Sequence, residues 1–324
     1  MTFDGYLLAY FLDEQDELGE QIRLAVSTGR TPTDWQVLGG GSPLLVSTVG
    51  ERGARDPFLV RDEARGVFVL LATDLRIWPD GDWHRAMRHG SRSLVVWQSP
   101  DLIAWSAPRL VEVSPPEAGN TWAPKAFWSD EDQSWLVFWA AALFAAQADR
   151  EAGSYQRILA ARTDDFRTFT PASTHLDFGH DVIDLTFLRD GDDWYRFSAN
   201  AHVPGGDPDI GQHIFAERGP ALEHPEFAPL VVDIGKDVLK RGEGPAPFAS
   251  IDGDGWYLLI DEFGHRGYQL FHTRDLAAGR WHLAPGAKLP AGARHGSVIP
   301  ITAAERSRLL EHFAGERTVD SGQA

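Results

Sequence analysis

The sequence predicts an all-β fold: a five-bladed β-propeller closed in one blade by its N- and C-terminal strands. Three observations carry this expectation. A strand–turn–strand unit recurs along the chain at a spacing of roughly 60 residues, the length of one four-stranded blade. The composition favours sheet, with 12 Trp, 18 Phe and 6 Tyr among 324 residues and only 2 Met. The first copy of the unit lacks its leading strand, while the C-terminal end carries one strand without a partner.

The outer half of the unit is an alternating strand, a turn and a second short strand. It reads IRLAVSTGRTPTDWQVL from Ile22, SLVVWQSPDLIAWSAPRLV from Ser93, RILAARTDDFRTFTPASTHL from Arg157, HIFAERGPALEHPEFAPLV from His213 and YQLFHTRDLAAGRWHLAP from Tyr268. Turns such as Ser99-Pro100-Asp101-Leu102 have the expected Asp and Pro chemistry. The inner half is a short strand, a polar turn and a long apolar strand. It starts at Ala54 (ARDPFLVRDEARGVFVLLATDL) and recurs from Trp122, Val182 and Gly242. Asp190-Gly191-Asp192 and Asp252-Gly253-Asp254-Gly255 are hairpin signals.

The first blade begins directly at Gly5-Tyr6-Leu7-Leu8-Ala9-Tyr10-Phe11. Arg294 to Thr302 (RHGSVIPIT) supplies its missing inner strand, which removes an open sheet edge. A short helix over roughly 303–313 follows, with Thr302 and Glu305 at the spacing of a capping box. Two insertions, 76–90 (long, aromatic and basic) and 144–154 (Ala-rich and polar), read as surface loops. The chain reads as one catalytic domain over 1–314 with a disordered tail over 315–324.

Net charge is −17 and the sequence pI about 5.0. An acidic surface repels phosphate, so neither nucleic acid nor an anionic membrane is an expected partner. The absence of cysteine excludes disulfides, thiolate metal sites and cysteine nucleophiles. The N-terminus shows no basic n-region and no run approaches the ~20 apolar residues of a membrane span. A cytoplasmic location is therefore expected.

In a propeller the inner strands line a central channel, and their leading residues converge at one mouth. Those leaders include Asp56, Trp122, Asp184 and Glu243, joined by Arg294 and His295 of the closing strand. Taken alone, Asp56 before Pro57 is a turn residue; with Asp184 and Glu243 it becomes one of three acids from three blades. Three carboxylates suit glycoside hydrolysis: one activates water, one protonates the leaving oxygen, and a third raises the pKa of the acid. They also suit a divalent cation such as calcium.

The ordered set RDP, WAP, VID, EGP and RHGS resembles glycoside hydrolase family 43, and the resemblance covers Gly5 to about Phe313. It implies a five-bladed propeller hydrolase acting on arabinose- or xylose-containing glycans. It implies Asp56 as general base, Asp184 as pKa modulator and Glu243 as general acid. It also implies inversion at the anomeric carbon, for which the carboxyls stand roughly 6.5–9.5 Å apart. The expected product is α-L-arabinofuranose or β-D-xylose, released from a small oligosaccharide or glycoside. Arg55, Phe58, Trp122, Arg294, His295 and Trp78 are candidate substrate contacts, with Trp83 as a second wall of the pocket. No cofactor is required, but a structural calcium in the central channel is an option, with His295 as its support.

Two residues depart from the pattern. Lys125 follows Trp-Ala-Pro where related members often carry an acid, and Arg55 before Asp56 resembles the invertase-like family, in which that aspartate stabilises the sugar. A non-catalytic sugar-binding propeller, an invertase-like hydrolase acting on fructosides and a calcium-stabilised structural propeller are the alternative readings.

Overall fold

The computed structural model describes residues 1–145, 150–202 and 212–314. Among the described residues, twenty strands form five four-stranded antiparallel sheets. The first contains β1 (Gly5–Phe11), β2 (Arg23–Ser27) and β3 (Trp35–Val37). The second is β4 (Arg55–Asp62), β5 (Val67–Thr73), β6 (Ser93–Ser99) and β7 (Arg109–Glu112). The third is β8 (Trp122–Ser129), β9 (Ser134–Ala142), β10 (Gln156–Thr163) and β11 (Ser173–Leu176). The fourth is β12 (Val182–Asp190), β13 (Asp193–Asn200), β14 (Ile214–Gly219) and β15 (Ala228–Ile234). The fifth is β16 (Glu243–Ala249), β17 (Trp256–Glu262), β18 (Gly267–Thr273) and β19 (His282–Leu283).

The last strand, β20 (Arg294–Ile301), pairs with β1 and completes the first blade, with Gly5 opposite Ile301 and Leu8 opposite Val298. The closure expected from the unpartnered C-terminal strand is therefore present. Each blade runs from a channel-lining inner strand to an outer one, which is short in every blade but the fourth. The outermost strands β3 and β19 hold three and two residues, which leaves little edge for another chain to pair with.

Both faces of a blade are buried, which explains the continuous apolar runs in the middle strands. Along β1, Leu7 and Ala9 pack toward Leu59, Phe68 and Leu70 of the second blade. Tyr6, Leu8 and Tyr10, one residue out of phase, pack toward Phe248, Leu259 and Leu270 of the fifth. The same division recurs along β9: Trp135, Val137 and Trp139 face the second blade, Leu136 and Phe138 the fourth. Truncating one of these fully buried aromatics to Ala costs about 3–5 kcal/mol.

Helix α2 (Ala303–Ala314) follows β20. The capping box is made: Glu305 N donates to Thr302 Oγ1 at 3.2 Å and Thr302 N donates to Glu305 Oε2 at 2.8 Å. Arg61 of β4 binds the same carboxylate through both Nη atoms, fastening the helix to the second blade.

The insertion at 76–90 departs from the expected loop. It contains a short helix, α1 (Trp83–Arg88), because the Asp82 side chain accepts from Arg85 N at 2.9 Å and starts a turn. Of the second insertion, residues 146–149 lie outside the described residues, as does the tail at 315–324. Among the described residues, no helix is long and apolar enough to cross a membrane.

Candidate active site

Every inner strand breaks its ladder at the same place. Between Arg55 and Phe58, three residue steps on β4 face two on β5, from Thr73 to Leu71. The same three-against-two step occurs at Trp122–Lys125, Ile183–Thr186, Glu243–Ala246 and Arg294–Ser297. A bulge of this kind re-aims side chains. Pro57, Pro124 and Pro245 occupy the third bulge position, where a missing N–H is tolerated. The second position is left-handed in four strands: Asp56 at φ 54°, Ala123 at 53°, Asp184 at 60° and Gly244 at 56°. For a non-glycine residue this conformation costs on the order of 1–3 kcal/mol, and such strain clusters at functional sites.

The bulge sorts the leading residues into two layers. The first position holds Arg55, Trp122, Ile183, Glu243 and Arg294. The second holds Asp56, Ala123, Asp184, Gly244 and His295. Glu243 is thus one residue nearer the mouth than the two aspartates, an offset that the strand pattern conceals.

In the deeper layer the His295 ring lies between the two aspartates. Its Nδ1 is 2.8 Å from Asp56 Oδ1 and its Nε2 is 3.8 Å from Asp184 Oδ1. The ring crosses the channel directly over Gly244, where a Cβ would come within 2.4 Å of His295 Cδ2. Asp56 Oδ2 accepts from Thr73 Oγ1 at 2.7 Å, and Thr73 Oγ1 in turn accepts from Ala123 N at 2.8 Å. Asp184 Oδ2 accepts from Gly244 N at 2.9 Å.

Charge states follow from these surroundings. Burial pushes Asp56 upward, but His295, Arg55 and Thr73 together overcome it and hold the carboxyl far below the usual range. Asp184 is raised: burial dominates, and Asp56 adds to it against the opposing pull of His295. Burial lowers His295, yet Asp184 and Asp56 more than compensate, so the imidazole is raised above its usual range.

In the outer layer Glu243 Oε1 accepts from Arg294 Nη2 at 2.7 Å, and Oε2 from Gln212 Nε2 at 3.3 Å. Arg294 also binds Asp261 Oδ2 at 3.0 Å and lies 3.6 Å from Glu14 Oε2. Arg55 binds Glu20 Oε1 at 2.9 Å and Glu14 Oε2 at 3.3 Å. Two guanidiniums therefore face four carboxyls, which leaves room for a proton. Burial pushes Glu243 up to about 8; Arg294 opposes this, while Asp261 and Asp184 reinforce it.

Glu243, Arg55 and Arg294 form the floor of an open pocket of about 620 Å³, walled by Asp13, Glu14, Trp83, Gln212, His265 and Arg266 among others. The Arg55 guanidinium lies between the rings of Phe11 and Trp83, 4.8 and 5.0 Å from their centroids. Trp83 meets Trp122 edge-on at 6.1 Å. Glu20 accepts from the backbone N–H groups of Ile77 and Trp78, and so ties the insertion to Arg55.

Several expected contacts sit elsewhere. Phe58, at the fourth bulge position, lines a separate cavity of about 230 Å³ farther along the channel, with Lys125, Thr186 and Ser297. Trp78 is turned toward Arg76, whose guanidinium is 5.0 Å from its ring, and Trp83 takes the wall position. Trp122 backs Trp83 rather than lining the pocket. Glu14 and Glu20 carry no signal in the sequence, and the Asp261-Glu262 pair reads there as part of the blade rather than of the reaction. Asp261 carried the one available signal: an acid inside the apolar strand Trp256–Glu262, directly opposite Glu243.

His295 as a support for calcium does not fit this donor set. Calcium takes 6–8 oxygens. One oxygen of Asp56 is bound to His295 and the other to Thr73; one oxygen of Asp184 faces the same ring. Among the described residues, no group of three or more His, Cys, Asp or Glu is arranged to hold a metal ion.

A five-bladed propeller that gathers Asp56, Asp184 and Glu243 from three blades at one end of its channel has the architecture of a class of glycosidases. The chain matches the family 43-related glycosyl hydrolases, described as "Probable glycosyl hydrolase domain", over residues 2–307, and it belongs to that family. The Alpha-L-arabinofuranosidase of Bifidobacterium longum subsp. longum is 28% identical over 295 residues, covering 82% of this chain and 27% of the relative. The chain thus spans about a quarter of the length of that relative. Among solved structures, a xylan beta-1,4-xylosidase from Bacillus halodurans C-125 aligns with a TM-score of 0.57 at 17% identity, over 91% of this chain and 55% of the other. A Cellvibrio cellulosa alpha-L-arabinanase mutant aligns with a TM-score of 0.57 at 13% identity, over 90% and 94%. At these identities the likeness to the two structures is one of fold.

Proposed function

We propose that the chain is an inverting exo-glycosidase that releases a terminal pentose, α-L-arabinofuranose or β-D-xylose, from a short oligosaccharide. One observation carries the division of labour: the surroundings drive Asp56 far down and Glu243 up to about 8. Two carboxyls with pKa values pushed apart are the signature of a base and an acid.

Glu243, protonated at neutral pH and opening into the pocket, donates its proton to the leaving glycosidic oxygen. Asp56, ionised and held by His295 and Thr73, accepts a proton from the attacking water on the opposite face of the sugar. Asp184, whose charge raises Glu243, keeps the acid protonated between turnovers. Arg294 and Arg55 place donors on the pocket floor for sugar hydroxyls, and Trp83 offers a flat apolar face to the ring. The name of the Bifidobacterium relative favours arabinofuranose over xylose as the sugar released.

The test is a panel of aryl glycosides including α-L-arabinofuranosides and β-D-xylosides, with the product anomer followed by NMR. Hydrolysis with inversion, lost in both Glu243→Gln and Asp56→Asn, is the expected result. Full activity in both variants sinks the assignment.

A further inference from the structure

The two arginines of the pocket floor share one acid that the chemistry described so far does not use. Glu14 stands in the loop between β1 and β2. Its Oε2 accepts from Arg55 Nη1 at 3.3 Å and lies 3.6 Å from Arg294 Nη1. The four carboxyls around these guanidiniums are not equally open. The side chains of Glu20 and Asp261 are 2% and 0% exposed, that of Glu14 27%. Both oxygens of Glu20 are taken, by Arg55 and by the backbone N–H groups of Ile77 and Trp78. Those of Glu243 accept from Arg294 and Gln212. Asp261 Oδ1 has no partner among the described residues, but its side chain is fully buried and does not line the pocket. Glu14 lines the pocket, and among the described residues its Oε1 accepts no hydrogen bond.

A sugar hydroxyl is a donor and an acceptor at once. Arg55 and Arg294 can donate to its oxygen, but a guanidinium offers nothing to its hydrogen. Glu243 is committed to the leaving oxygen. Glu14 sets an open acceptor beside both guanidiniums, on the same carboxyl whose other oxygen they hold. A hydroxyl resting on the floor there meets a donor and an acceptor side by side.

We infer that Glu14 is a specificity-determining residue of the pocket: its Oε1 accepts the hydrogen of a ring hydroxyl on the terminal sugar, while Arg55 or Arg294 donates to the oxygen of that hydroxyl. The inference rests on the reading of the pocket as a glycosidase site and extends it. Selection for the hydroxyl pattern of the sugar then comes in part from the first blade, through a loop that carries none of the three acids.

Monodeoxy analogues of the aryl glycoside that the wild type cleaves test this. With one of them the wild type should lose roughly 10- to 100-fold in kcat/KM, the worth of a hydrogen bond to a charged group. Glu14→Ala should lose a similar factor on the parent glycoside and no longer distinguish it from that analogue, while the penalties at the other hydroxyls persist. If Glu14 only braced Arg55 and Arg294, the parent rate would fall and every deoxy penalty would stay. That pattern overturns the inference, as does unchanged activity. Glu14→Gln has the same shape, keeps an acceptor oxygen and remains decisive if Glu14→Ala fails to fold. It should retain only part of the penalty at the same hydroxyl, and an undiminished penalty overturns the inference. The two readings fail separately. If no glycoside is turned over, the glycosidase assignment falls, and calorimetric titration of L-arabinose and D-xylose into wild type and variant still decides. Weaker binding by the variant supports the role of Glu14; equal affinity, or no binding by the wild type, overturns it.

Discussion

Nδ1 of His295 lies 2.8 Å from Oδ1 of Asp56, joining the last strand of the chain to the first inner strand of its second blade. Both residues occupy the second position of their bulges, and β20 and β4 are neighbours around the channel. The pair therefore exists only once the ring of blades has closed. It fixes the Asp56 carboxylate in orientation and, with Arg55 and Thr73, against the pull of burial, in charge.

His295→Gln keeps a side-chain donor but removes the charge. Asp56 should then titrate higher, moving the acid limb of kcat/KM upward, with activity reduced about 10- to 100-fold, as for other residues that orient a reacting group. A pH–rate profile of the purified variant checks both effects.

Glu243→Gln should lower kcat by about 10²–10⁴, the usual contribution of a general acid. The loss should be smallest for aryl glycosides with acidic leaving groups, which depart without a proton. In the wild type the acid must be protonated, so kcat/KM should fall as pH rises through about 8, the value to which burial raises Glu243. Initial rates across a leaving-group series and across pH check this.

Asp261→Asn removes a buried negative charge that shares Arg294 with Glu243. With that repulsion gone and Arg294 freed, Glu243 should titrate lower. The alkaline limb should therefore move toward neutral pH, while the acid limb stays in place. A shift in the opposite direction would show that Asp261 does not act on Glu243 through charge.

Gly244→Ala places a methyl group 2.4 Å from His295 Cδ2, on a backbone at φ 56°. Displacing the ring breaks its contacts with both aspartates. We expect a loss of about 1–3 kcal/mol from the strained backbone alone, visible in urea unfolding, together with loss of activity.

Thr302→Ala removes the cap of α2 at a distance from the pocket. Stability should fall by about 1 kcal/mol with kcat and KM unchanged. Chemical denaturation alongside a kinetic assay tests the separation.

The blades were legible because each repeats the same local grammar: an inner strand, a polar turn, an apolar strand and a short outer strand. Hairpin turns and paired apolar runs are local properties. So was the capping box of Thr302 and Glu305. The closure could be counted out as one missing strand and one unpartnered strand. Asp-Pro, Ala-Pro and Gly-Pro even marked three of the bulges, because proline cannot serve the ladder. What the bulges do could not be read. Each inserts an extra residue and, in four of the five, a left-handed turn, so the alternation rule fails where it matters most. Hence Phe58 fell in the channel instead of the pocket, and Glu243 came to lie one layer above the aspartates. Trp83 replaced Trp78 because Asp82 starts a helical turn within the insertion.

The sequence by itself determined the five sheets, their closure and the three acids, since these depend on periodicity, turn chemistry and the cost of an acid in an apolar strand. Only the tertiary structure decided which charges meet. Two arginines facing four carboxyls and a histidine between two aspartates come from five separate strands and the loop after β1, and electrostatic energy depends on distances through space that no spacing along the chain encodes.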